Sequence, residues 1–236
     1  MKIGIFGDSY SSIIGWRDVH PYKGWPELLA ENYKVINFSH NGSSLYYSKK
    51  FFDQHYKVFD KIIFTITAPG RFEFKVPTLE KYPKICLDYQ FLPTINAIKA
   101  RLKIKELTDD ELRKYQIIHD YKLYIQNFEY EDYIHQMIVN DIVRLRPDTI
   151  LIPCFKQSIR GEDNYLEQIT KMEDEFLGAK TGFYIDKRKC HMSEENNKII
   201  YNLVLDALMN NQTRLDLNPD YFLLPKSDLR NLLEDV

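Results

Sequence analysis

Apolar positions along the chain fall into short continuous runs, separated by stretches in which they recur at helical spacing. Lys2-Ile3-Gly4-Ile5-Phe6 opens the chain and ends abruptly in Gly7-Asp8-Ser9, which predicts a buried strand with a serine at its tip. Trp25, Leu28, Leu29 and Tyr33 then form an apolar stripe, with Pro26 suited to a first helical turn. Lys34 to Phe38 predicts a second strand, which breaks into the turn-forming run Ser39-His40-Asn41-Gly42-Ser43-Ser44. A tyrosine-rich helix is expected from Leu45 to Tyr56, and a third strand from Asp60 to Thr67, ending at Ala68-Pro69-Gly70-Arg71. Strand and helix alternating at intervals of about 30 residues predict successive βαβ units and a parallel sheet.

Residues 72–142 break this rhythm and are expected to form a helical insertion or lid within a single domain spanning 1–236. Thr108 followed by Glu111 has the form of a capping box, and Tyr115, Ile118, Tyr121 and Tyr124 fall on one side of the helical pattern that continues to Val143. Thr149 to Pro153 predicts a fourth strand, 162–177 a helix with Leu166, Ile169 and Met172 inward, and Gly182 to Ile185 a short fifth strand. Ser193 is a natural N-cap for a last helix, Glu194 to Met209, whose Ile200, Val204 and Leu208 belong to an inward stripe. The segment 210–236 is expected to be a strap or short helix on the surface.

Composition narrows the function classes. A formal net charge of −2 offers no basic field for nucleic acid or an anionic membrane surface, so neither partner is expected. No apolar run approaches the roughly 20 residues of a membrane-spanning helix. The three cysteines lack metal-site or redox spacing, and no basic and apolar leader precedes the first strand; the expectation is a cytoplasmic protein with reduced thiols. No metal-ligand spacing and no glycine-rich phosphate loop is present, so no metal and no cofactor is expected.

In open parallel sheets ligands bind beyond the carboxyl ends of the strands, which is where Ser9 stands. A nucleophilic serine requires a base, a group that orients the base, and donors for the oxyanion. His191, in a loop just before the last helix, is the best candidate base. His20 and His40 lie in loops at the same edge; His55, His119 and His135 fall on predicted helices and have weaker claims.

Gly7-Asp8-Ser9 after the first strand, Asn41-Gly42 after the second, and an acidic residue followed by His191 before the last helix resemble, in that order, the blocks of the SGNH (GDSL) hydrolases. The resemblance spans nearly the whole chain. It implies a flavodoxin-like three-layer α/β/α sandwich of about five parallel strands. It also implies a serine esterase that removes a small acyl group, such as acetyl; the aromatic loops and Arg71 point to a carbohydrate or similar alcohol as its bearer. Ser9 would be the nucleophile, His191 the base, and the backbone N–H groups of Ser9 and Gly42 oxyanion donors. Glycine at 42 would let the backbone approach the substrate oxygen closely.

Two departures from the family pattern stand out. After the third strand the family carries Gly-x-Asn-Asp, whereas this chain has Thr67-Ala68-Pro69-Gly70-Arg71; Thr67 or Arg71 would have to supply the third donor. Arg188 stands three residues before His191, where the family has aspartate, so Asp186 or a backbone carbonyl would orient the imidazole. An acyltransferase, and a degenerate domain that binds a glycan or protein partner without turnover, remain open beside the esterase.

Overall fold

The computed structural model describes residues 1–13, 22–41, 43–73, 86–87, 113, 117, 120–121, 124–125, 127–169 and 192–222. Four strands form a parallel sheet: β1 (Lys2–Phe6), β2 (Lys34–Asn37), β3 (Lys61–Ile66) and β6 (Ile150–Pro153), in the order β2-β1-β3-β6. β4 (Phe72–Glu73) and β5 (Cys86–Leu87) form a small antiparallel ribbon within the expected insertion, which no sequence signal announced.

Side-chain alternation along the strands feeds two cores. Ile3, Ile5, Ile63, Ile150 and Ile152 face α1 (Trp25–Ala30) and α4 (Glu194–Met209), with Trp25, Leu29, Ile200 and Val204 packed against them. Phe6, Ile62, Phe64, Ile66 and Leu151 face α2 (Leu45–His55) and α3 (Phe128–Leu145), which contribute Phe52, Val139 and Ile142. Both faces of the sheet are covered, which is why the strands read as continuous apolar runs rather than alternating ones. The chain is therefore a three-layer α/β/α sandwich of flavodoxin type. Its connections explain the layers: β1 to β2 moves one way along the sheet and β2 to β3 the other. Crossovers of a single hand must then put α1 and α2 on opposite faces.

Four strands occupy the parallel sheet where about five were expected; the proposed fifth, at 182–185, lies outside the described residues. On the far side of β6, Arg214 pairs in parallel with Leu151, and Leu151 N–H donates to the Thr213 carbonyl at 3.0 Å. The described part of the tail thus extends the sheet edge: Leu215, Leu217 and Phe222 are buried in the core, a short helical turn at Pro219–Tyr221 stands at the surface, and 223–236 lie outside the described residues. The expected insertion also changes character at its end. α3 begins inside it and is the crossover helix from β3 to β6, capped by Asn127, which accepts from the Tyr130 N–H at 3.0 Å. Tyr124, on the side of the helical pattern shared with Tyr121, is 80% exposed. Ser193 caps α4 by accepting from the Asn196 N–H, as its position before the apolar stripe predicts. No helix among the described residues is long and apolar enough to cross a membrane.

Candidate active site

β1 ends at Phe6, and the chain turns through Gly7, whose φ of +143° suits glycine. A Cβ at this position would fall 1.8 Å from Thr65 Oγ1 and 2.6 Å from the Thr65 carbonyl oxygen. The turn lies directly against β3, and any side chain would push it away. The Gly7 carbonyl accepts from the His40 N–H at 3.1 Å, Ser43 Oγ at 2.9 Å and Ser48 Oγ at 3.1 Å, tying it to the loop after β2 and to α2. On the other side Ser11 Oγ meets Ser39 Oγ at 2.7 Å and Thr65 Oγ1 at 2.6 Å, while Trp25 Nε1 donates to the Tyr10 carbonyl at 2.8 Å. Ser9, half-buried at the tip, therefore sits on a turn held by four neighbouring segments.

Asp8 is fully buried beneath it. Its Oδ1 accepts from the Tyr10 N–H at 3.1 Å, and its Oδ2 lies 3.3 Å from Arg71 Nη1. Burial pushes the Asp8 carboxyl above its ordinary pKa; the Arg71 charge is the largest influence in the other direction, followed by the Tyr10 N–H. The buried Thr67 hydroxyl adds a weaker lowering influence from a position short of full hydrogen-bond geometry. Arg71 is itself nearly enclosed, its guanidinium 4.3 Å above the ring centre of Phe155. Cys154 is a buried free thiol, held well above the ordinary thiol pKa by burial and then by the Asp8 charge, so it stays protonated.

The site residues read from the sequence divide accordingly. Ser9, Asn41, Thr67 and Arg71 come from the loops that follow β1, β2 and β3, three adjacent strands, and so gather at one edge of the sheet. Arg71 and Thr67 turn toward Asp8, and Arg71 acts as its counter-ion. The Asn41 carbonyl lies 3.1 Å from His40 Nδ1. Gly42, Asp186 and His191 lie outside the described residues.

Two bridging side chains join the ends of the described chain. Trp25 donates from Nε1 to the Tyr10 carbonyl and from its backbone N–H to Asn197 Oδ1 at 3.1 Å; Asn197 Nδ2 in turn donates to the Met192 carbonyl at 3.0 Å. Tyr10 follows Ser9 in the chain, and Met192 follows His191.

Several participants went unnoticed in the sequence. The buried hydroxyls Ser11, Ser39, Ser43, Ser48 and Thr65 wire the turn together; Ser39 and Ser43 were legible only as turn formers. Phe155, the platform for Arg71, follows β6 with no local signal to mark it. His135 also belongs to this edge. Its Nε2 lies 2.9 Å from the Ser158 carbonyl, and burial lowers its pKa to about 4, so the ring is neutral and Nε2 carries the donated proton. Among the described residues, no three His, Cys, Asp or Glu side chains gather as metal ligands would. No family model matches the chain, and no curated protein matches it.

Proposed function

We propose that the chain is a serine ester hydrolase of SGNH type that works through an acyl-Ser9 intermediate. Ser9 Oγ attacks the ester carbonyl while His191 takes its proton. The negative oxygen is met by the backbone N–H groups of Ser9 and Gly42. The bond from carbonyl carbon to alcohol oxygen breaks, and the alcohol, a carbohydrate hydroxyl or similar, leaves with the proton held by His191. Water then adds to the acyl carbon, giving its proton to the same base, and the acid departs as Ser9 recovers its hydrogen. Asp186 or a backbone carbonyl orients the imidazole.

The observation that carries this reading is the bridge from Tyr10 through Trp25 and Asn197 to Met192. It links Tyr10, the neighbour of Ser9 in the chain, to Met192, the neighbour of His191, and so supports pairing the two as nucleophile and base. The rigid turn under Ser9 supports it too, since a nucleophile held in place loses less freedom on reaching the transition state. The enclosed Asp8–Arg71 pair suggests that this chain fixes its serine turn by a buried ion pair where the family pattern carries an asparagine motif.

A fluorophosphonate probe tests the reading. Wild-type protein is expected to be modified at Ser9, as located by peptide mass spectrometry, and Ser9→Ala to remain unmodified. His191→Ala should slow the labelling by roughly 10²-fold or more. Intact, folded protein that resists the probe would point instead to a domain that binds without turnover.

A further inference from the structure

A cleft of about 420 Å³ opens beside the serine turn, between the start of α2, the loop after β3 and one face of α3. Leu45, Tyr46, Tyr121, Ile134 and Ile138 give it an apolar wall, and Arg71 closes it on the side toward Asp8. Its position is set by the same contacts that hold Ser9. Ser43 and Ser48 bond the Gly7 carbonyl, which places the first turn of α2, including Leu45, against the Gly-Asp-Ser turn.

We infer that this cleft receives the acyl chain of the ester, and that the chain is uncharged and of medium length; this rests on the acyl-Ser9 reading above. The volume carries the first half of the inference. At about 30 Å³ for a water-sized group, the cleft holds at most roughly a dozen heavy atoms, matching an acyl chain of about six to ten carbons. An acetyl group would leave most of it unfilled. The polar groups on its wall carry the second half. Arg71 is committed to Asp8, and His135 is kept neutral by burial, so neither offers a free positive charge to a carboxylate-ended chain. Glu131 adds a buried carboxylate to the same wall, which repels a carboxylate-ended chain further, while each methylene placed against Leu45, Tyr46, Ile134 and Ile138 leaves water.

The test is a series of p-nitrophenyl esters from acetyl to decanoyl, with Ser9 reactivity followed separately using diisopropyl fluorophosphate. The value of kcat/KM is expected to rise by up to about fourfold per added methylene, and the octanoyl ester should exceed the butyryl ester by at least roughly 20-fold. Ile134→Trp, which narrows the cleft from a half-exposed position, should lower the octanoyl-to-butyryl ratio by about 10-fold. Ile138→Phe provides a second variant should the first fail to fold by circular dichroism. If the wild type is phosphorylated at Ser9 yet prefers acetyl, or if neither folded variant shifts the ratio, the acyl-chain assignment fails and the serine reading stands. If Ser9 does not react and no ester is cleaved, both fail.

Discussion

Gly7 is the residue whose replacement the geometry forbids most firmly. Its φ lies in the region where a side chain is strained, and the space a Cβ would need is already taken by Thr65. Gly7→Ala is expected to destabilise the fold by more than about 3 kcal/mol or to prevent folding, as measured by urea unfolding. Asp8 and Arg71 make a different kind of demand. A buried ion pair contributes little net stability, but removing one partner strands the other charge. Arg71→Met should therefore cost about 3–5 kcal/mol at pH 7, while Asp8→Asn combined with Arg71→Met should recover at least half of that loss. The sign with pH follows from the raised pKa of Asp8: a carboxyl that is already easier to protonate when folded becomes more so without the cation. The penalty of Arg71→Met should shrink as pH falls from 7 toward 5; a penalty that stays constant would show that Asp8 does not respond to the missing charge.

Among the elements, α3 departs furthest from expectation. Its inward face was readable as helical spacing up to Val143, but its place as the crossover helix was not. Val139 and Ile142 look the same in sequence whether they cover a sheet or pack within an inserted bundle. His135 helps secure α3 to the loop after β6 through the Ser158 carbonyl, beside Gln136 and Asp132, which bond Gln157 and Arg160. The folded pKa of about 4 lies below the unfolded value near 6.5, so between these limits the unfolded chain binds the extra proton. Stability from this group is complete above about pH 6.5 and lost as pH falls toward 4, by roughly 3 kcal/mol at most. His135→Gln, which does not titrate, should flatten the fall in urea midpoint across that window by this amount. Equal slopes in the two proteins would remove His135 as the cause. The ribbon of β4 and β5 went unread because two-residue strands carry too few alternating positions to show a period.

For the whole molecule, the division between sequence and structure follows the range of the physical signal. The four sheet strands, the Ser193 cap, the helix beginning near Pro26 and the place of Ser9 at a strand tip were set by neighbours a few residues apart: apolar runs, turn formers and spacing of about 3.6 residues. The sequence by itself therefore determined an α/β chain with a serine at the tip of its first strand. Tertiary structure decided what that serine stands on and beside. Asp8 meets Arg71 across 63 residues, Trp25 meets Asn197 across 172, and Arg214 pairs with Leu151 at the sheet edge. No local pattern specifies such partners, because each is chosen when apolar faces pack and the polar groups trapped between them must find one another. The cleft beside the serine turn belongs with these: it exists only where the start of α2, the loop after β3 and the face of α3 come together.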